Sequence, residues 1–324
     1  MKAIVYDHYG PPDVLQFEEA EKPLPSPDQV LIKVRASSVN PYDWHFIRGT
    51  PSLIRLFIGL RTPKLRRLGA DVAGVVEAVG SSVTSFKPGD AVFGTAKGSF
   101  AEYACAFPST LASKPDNLTW EQAASAPIAG ITALQGLRDK AGILTGQHVL
   151  INGASGGVGT FAVQIAKSLK ARVTAVCSTR NVELVRSLGA DQVIDYTCQD
   201  FLHSAARYDV FFDLVGNQPL AACLNVLQPK GIYIGCGGGG PDRPSTELLG
   251  SMLYSLLSRP FISQKMPGFI AKVNTGDLNF LACLMRSGKV TPVLDRTYAL
   301  EQTADAIRYI EQGHARGKVA ITIP

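Results

Sequence analysis

No apolar run in this 324-residue chain approaches the ~18 residues that a membrane-spanning helix needs. The opening MKAIVYDHYG has none of the features of a secretory signal. The six cysteines (Cys105, Cys177, Cys198, Cys223, Cys236 and Cys283) are widely scattered, with no C-x-x-C pair and no histidine at ligand spacing. That excludes a readable disulfide framework or zinc finger and leads us to expect reduced thiols and a cytoplasmic location. Internal repeats and low-complexity tracts are also missing. A net charge of +5 is too small by itself to argue for nucleic acid, so none is expected as a partner. With 46% hydrophobic residues the composition is that of a globular enzyme, and the length suggests two domains.

Glycine, by contrast, is concentrated. LINGASGGVG (150–159) places Gly153, Gly156, Gly157 and Gly159 between an apolar run and the helical pattern TFAVQIAKSLK. The frame G-x-G-x-x-G is filled as Ala154, Gly156 and Gly159, with alanine at its first position. HVLIN (148–152) reads as a buried strand, so strand, glycine-rich turn and helix follow in the order of a dinucleotide-binding unit. Such a turn brings bare N–H groups and a helix dipole against a pyrophosphate; the alternative is a tight turn with no ligand. Further strands at RVTAVC (172–177), QVID (192–195), YDVFFDLVG (208–216) and KGIYIGC (230–236), with a helix at 182–190, predict a doubly wound parallel sheet of Rossmann type. After the second strand an NAD site carries an acid. Here Ser178, Thr179 and Arg180 stand there and no acid comes before Glu183, which favours NADP(H), with Arg180 offering a fork for the 2′-phosphate.

The first third has a different grammar. DQVLIKVRASSVN (28–40), DVAGVVEAVG (71–80) and GDAVFGT (89–95) are short alternating strands punctuated by turns such as PLPSP and KPG, and the pattern returns after 288. The expected architecture is therefore an α/β unit at 123–290 inserted into a discontinuous β-rich domain at 1–122 and 291–324. The cleft between them is the expected active site.

GADVAGVVEAVGSSVTSFKPGDAVFG (69–94), AASAPIAGITALQGL (123–137), NGASGGVG and the C-terminal GKVTPVLDRTYALEQTADAIRYIEQGHARGKVAITI resemble the medium-chain dehydrogenase/reductase superfamily along nearly the whole chain. The likeness is to its zinc-free quinone oxidoreductase branch, which includes ζ-crystallin-like and chloroplast-envelope-type reductases. The resemblance implies a GroES-like β domain, NADPH dependence and a homodimer. Zinc-dependent members carry a cysteine where this chain has SSVNPYDW and a G-H-E run where it has GADVAG. Asn40 stands in the cysteine region, Ala70 replaces the histidine and Asp71 the glutamate, too few ligands for a catalytic zinc. Without a Lewis acid the chemistry shifts from alcohol oxidation to hydride donation to an electron-poor acceptor, a quinone or an α,β-unsaturated carbonyl.

The resemblance also implies site residues. Asn40 and Asp43 match the family's N-P-x-D and Thr132 its G-x-T-A, beside the nicotinamide. Ala154, Ser155, Gly156, Gly157, Val158 and Gly159 match the pyrophosphate turn, and Ser178, Arg180 and Tyr196 the 2′-phosphate site. Each polar residue has a local alternative: Asn40 closing a strand-end turn, Asp43 capping the next helix, Thr132 bonding its own backbone. Tyr42 and His45 are the nearest proton donors in sequence. Mitochondrial enoyl reductases have a tyrosine in a G-x-Y run where this chain has Thr50 and Pro51, which counts against an enoyl thioester reductase.

One stretch lacks acid altogether. RGTPSLIRLFIGLRTPKLRRLG (48–69) interleaves Arg48, Arg55, Arg61, Lys64, Arg66 and Arg67 with Leu53, Ile54, Leu56, Phe57, Ile58 and Leu60. It reads as a lid over a cleft for a hydrophobic acceptor, with ELLGSMLYSLLSRPF (247–261) as a facing wall, as a peripheral membrane contact, or as ordinary packing. A non-catalytic nucleotide-binding role of crystallin-like or vesicle-associated type is the other function class. RNA binding is disfavoured because Phe57 alone could stack.

Overall fold

The computed structural model describes residues 1–203, 205–236, 263–268 and 270–324. The apolar stretch 247–261 lies outside the described residues. The chain forms two compact units, the first made of Met1–Ile131, Lys272–Gly288 and Pro292–Pro324, the second of Thr132–Ala271 and Lys289–Thr291.

In the first unit, Val30–Val39 (β3), Asp71–Val79 (β4) and Ala91–Thr95 (β5) pair antiparallel, with Ile32 opposite Val76 and Ala73 opposite Phe93. The sheet runs Leu294–Ala299 (β13), Lys318–Thr322 (β14), β3, β4, β5, Leu111–Ser113 (β7), and Tyr103–Ala106 (β6) also pairs with β3. Lys2–Val5 (β1) and Gln16–Glu19 (β2) form a separate antiparallel pair. The inward residues of these strands, among them Ile32, Val34, Val72, Val92 and Val319, close a core with Trp44 and Ile47 of the helix Pro41–Arg48 (α1). Proline at its first position suits the start of α1, and Gly49 ends it in the left-handed region at φ 58°. The register sets Val319 opposite Val39, which brings Lys318, at the start of β14, to the end of β3.

The second unit is the parallel sheet expected from its strand pattern. His148–Asn152 (β8), Arg172–Cys177 (β9), Gln192–Asp195 (β10), Tyr208–Asp213 (β11) and Leu227–Gly235 (β12) lie in the order β10-β9-β8-β11-β12, every pair parallel. Val149, Leu150 and Ile151 are fully buried, as a strand covered on both faces requires. Order reverses at β8, and in such sheets ligands collect at the carboxyl ends of the strands there.

The division of the chain differs from the expected one. Residues 123–131 and 272–288 go with the first unit instead of the inserted one. The helix Trp120–Ala124 (α3) lies against β3 and β4, and the boundary falls inside Pro127–Leu134 (α4). The helix Thr275–Arg286 (α8) is held by the first unit. Thr275 Oγ1 donates to Pro108 O at 3.0 Å and Asn117 Nδ2 to Met285 O at 3.1 Å, while Leu278, Leu281 and Met285 are buried. A helical pattern alone does not say which core receives the apolar stripe.

The glycines of the turn after β8 have different reasons. Gly153 has φ 78°, which a side chain rarely adopts. Gly159, inside the helix Gly157–Ser168 (α5), has no room, since a Cβ would sit 2.1 Å from Gly153 O and 2.7 Å from Ala154 C. At Gly156 the described residues impose no such limit: a Cβ there would have one neighbour among them within 4 Å, Gly153 O at 3.4 Å. Gly159→Ala is therefore expected to destabilise by about 1–3 kcal/mol despite its better helix propensity, and Gly156→Ala to leave stability nearly unchanged. Thermal unfolding checks both; equal midpoints for the two variants would refute the crowding at Gly159.

Candidate functional site

Two groups of polar side chains stand out, one in each unit. In the second unit Gly156 is the N-cap of α5, a helix of 12 residues with no side-chain cap, so its first N–H groups point outward beside Gly157 and Val158. The end of β9 adds polar groups to this turn. Asn181 Nδ2 donates to Ser155 Oγ at 2.9 Å and to Ser178 Oγ at 3.3 Å, joining the glycine turn to the strand end. Asn181 is only 4% exposed, and among the described residues its Oδ1 has no hydrogen-bond partner. A buried acceptor left open next to an uncapped helix is what a hydroxyl-bearing ligand would complete. Arg180 is exposed on the short turn before Asn181, and Tyr196, 55% exposed, follows β10 with its N–H on Cys177 O. Glu183, the first acid after β9, is paired with Arg186 at 2.7 Å.

A buried carboxylate holds the other side of this turn. Asp213 Oδ1 accepts from Asn152 Nδ2 at 3.0 Å, Val215 N at 3.1 Å and Gly216 N at 2.9 Å, while Oδ2 accepts from Tyr233 Oη at 2.9 Å. It fixes the 214–216 loop, whose Val215 lies where a side chain on Gly153 would go. The residues present fit a dinucleotide: an uncrowded bare position, a helix N-terminus without a side-chain cap, hydroxyls, a guanidinium and a buried acceptor open among the described residues. Sequence reasoning found the glycines, serines and Arg180 but missed Asn181, Asn152 and Asp213. The available signals were the asparagine directly after Arg180 and the D-x-x-G run that ends β11.

In the first unit Asp71 is fully buried and surrounded by donors. Its Oδ2 accepts from Ser38 Oγ at 2.6 Å, Asn40 Nδ2 at 2.8 Å and Lys318 Nζ at 3.4 Å, and its Oδ1 accepts from Ile128 N, in the first turn of α4, at 2.9 Å. Lys318 Nζ also donates to Asn40 Oδ1 at 2.6 Å and Val39 O at 3.2 Å. Burial lowers the Lys318 pKa, opposed by the charges of Asp71 and Asp43. Asp43 is fully buried as well and takes the local role open to it: its Oδ2 accepts from Asn40 N at 2.8 Å at the head of α1, and its Oδ1 from Gly69 N at 3.3 Å. Burial, with a contribution from Asp71, pushes its carboxyl up to about 7, against Lys318 and the two backbone bonds. The structure thus brings Asn40, Asp43 and Asp71 together. Thr132 is half-buried on α4, in the second unit.

The donors at the zinc-ligand positions do not fit a metal. Asn40 Oδ1 and Asp71 Oδ2 close on the protein's own ammonium, and Ala70 offers no ligand. Among the described residues no three His, Cys, Asp or Glu side chains gather as a metal site. Of the two proton-donor candidates, Tyr42 is pushed well above the ordinary phenol range by burial. His45 pairs its Nδ1 with Thr50 O at 2.8 Å, and its pKa is lowered by burial. Both shifts make the group a poorer proton source at neutral pH.

Comparison with known proteins agrees with this geometry. Residues 26–116 match the alcohol dehydrogenase GroES-like domain and residues 188–321 the zinc-binding dehydrogenase family. The chain is 33% identical to a chloroplast envelope quinone oxidoreductase homolog of Arabidopsis thaliana, over 99% of this chain and 98% of that protein. It is 36% identical to a chloroplastic NADPH-dependent alkenal/one oxidoreductase of the same plant, over 99% of this chain and 79% of that one. The solved quinone oxidoreductase from Coxiella burnetii superposes with a TM-score of 0.87 at 32% identity, covering 100% of this chain and 99% of its own. With this fold, this glycine turn and these relatives along its whole length, the chain belongs to the medium-chain dehydrogenase/reductase superfamily, in its quinone oxidoreductase branch.

Proposed function

We propose that this protein is an NADPH-dependent reductase that passes hydride to a quinone or an α,β-unsaturated carbonyl without a metal. The observation that carries the reading is Gly156: among the described residues its bareness answers no demand of the fold, at the N-terminus of a helix without a side-chain cap. Two relatives are named as a quinone oxidoreductase and an NADPH-dependent alkenal/one oxidoreductase. When bound, NADPH supplies the hydride.

The protein's own residues bind and orient. The turn Ala154–Gly159 receives the pyrophosphate, with Ser155, Gly157 and Val158 contributing N–H groups and a hydroxyl. Ser178, Arg180 and Tyr196 receive the 2′-phosphate, for which a planar guanidinium fork is well matched. Asn40 and Asp43 act as positioning groups, because both ends of the Asn40 amide and both oxygens of Asp43 are already engaged by protein. Thr132, at the G-x-T-A position on α4, is the residue of this reading that faces the reacting ring. A quinone takes its protons from water, so no protein acid is required. The expected substrate is small, hydrophobic and electron-poor. The same reading has a homodimer, which light scattering after gel filtration tests, and a cytoplasmic location, in keeping with six free thiols.

NADPH oxidation should proceed with quinones, 2-alkenals or enones and be unchanged after exhaustive chelation. Loss of turnover on chelation, or no turnover with any such acceptor, would refute the reading. For the cofactor, Arg180→Ala should weaken NADPH about ten- to hundred-fold while leaving NADH nearly level, since only the 2′-phosphate makes that charged bond. Gly156→Val should weaken both cofactors. Asn181→Asp should disfavour NADPH alone, by setting a carboxylate beside Ser178. Equal losses for both cofactors in Arg180→Ala would make that residue structural; titration of each cofactor by fluorescence decides.

Asp43 gives a pH signature. Its folded pKa of about 7 lies above its ordinary 3.8, so folding takes up a proton between these values. Stability from this group is fully present below about 4 and is lost as pH rises towards 7. Asp71, Lys318, Tyr6 and Tyr42 surround it in both forms. Asp43→Asn should flatten the fall of the unfolding midpoint across that window; an unchanged slope would show that the carboxyl ionises normally.

A further inference from the structure

The acid-free stretch 48–69 is only partly absorbed by the fold. Two of its cations turn inward: Arg48 pairs with Glu311 at 2.6 Å, and Arg55 donates to Gly49 O at 3.0 Å and stacks over the Tyr9 ring at 4.6 Å. Tyr9 Oη donates to Gly59 O at 2.7 Å, and Lys64 N donates to Ile58 O at 2.7 Å, closing the loop at its base. Gly59 has φ 125°, and a Cβ there would meet Thr62 O at 2.0 Å. The result is a knob, the short helix Arg55–Ile58 (α2) and the loop after it, pinned from behind. On its outside Phe57 is 77%, Leu60 70% and Leu56 56% exposed, beside exposed Arg61 and Lys64.

We propose that this knob is a docking surface for an anionic lipid bilayer. Large apolar side chains on a pinned loop, with exposed Arg61 and Lys64 on the same loop and no acid in the segment, complement a surface that is negative outside and apolar beneath. Neither half of that pattern suffices. A nucleic acid would match Arg61 and Lys64 but leave Leu56 and Leu60 in water, and a neutral apolar partner would leave the cations unmatched. The net charge of +5 adds long-range attraction to the same surface. This inference does not depend on the reductase reading.

The test is co-sedimentation of the full chain with phosphatidylcholine vesicles, with and without about 30% phosphatidylserine, at low and at about 0.5 M salt. Binding to the anionic vesicles at low salt is expected, falling at least tenfold in high salt and without phosphatidylserine. The pair Phe57→Ser with Leu60→Ser, and separately Arg61→Glu with Lys64→Glu, should each reduce binding at least tenfold. NADPH titration serves as the control for folding, and Phe57→Ser alone replaces the first pair if that pair does not fold. The proposal is overturned by no binding of the parent chain to anionic vesicles, by loss in the charge-reversal variant alone, or by apolar variants that change only self-association or the KM for long-chain quinones.

Discussion

The Asp71 carboxylate is the constraint on which the first unit is built. It receives bonds from Ser38 and Asn40 at the end of β3, from Lys318 at the start of β14 and from Ile128 in the first turn of α4. One buried anion thus sets a strand end, a strand start and a helix start. Asp43 stands behind it, so two carboxylates share the interior with one ammonium. Burial and Asp71 together raise the Asp43 carboxyl to about 7, which eases that excess of negative charge as pH falls. Breaking such a pair on one side leaves a buried charge uncompensated and costs more than its net worth, so Asp71 and Lys318 must be retained or lost together.

The parallel sheet was readable because its signal is local. Val149, Leu150 and Ile151 are apolar without alternation because both faces of β8 are covered, and the same holds for Val210, Phe211 and Phe212 of β11. The glycine turn was readable as a turn, but residues alone do not separate Gly159, crowded by Gly153 O and Ala154, from Gly156, which nothing in the fold constrains. That difference lies in the three-dimensional surroundings and is what argues for a ligand.

What escaped the sequence is mostly long-range. Lys318 and Asp71 are 247 residues apart, and GKVAITI reads only as a strand until the register of β14 on β3 is known. Helix α8 has a clear apolar stripe, yet its allegiance to the first unit depends on Pro108 and Asn117, more than a hundred residues earlier. Asn181 is hard to read for a different reason. Arg180 carries the charge that suits a phosphate, while its neutral neighbour makes the bonds that tie the glycine turn to β9.

Asn40 is held from three sides. By its place in the N-P-x-D run it resembles a residue at the reacting ring. Its amide, however, is oriented by Lys318 on the oxygen and by Asp71 on the nitrogen, and its backbone N–H is held by Asp43. A side chain so fully bonded gains little from meeting a substrate and would lose much by turning towards one. It serves better as rigid scaffold, holding the end of β3 and the start of α1. Hydride transfer to an acceptor that is already electron-poor asks mainly for placement and exclusion of water. A site whose polar groups are locked into one another suits that demand better than one with a free acid or an open metal position.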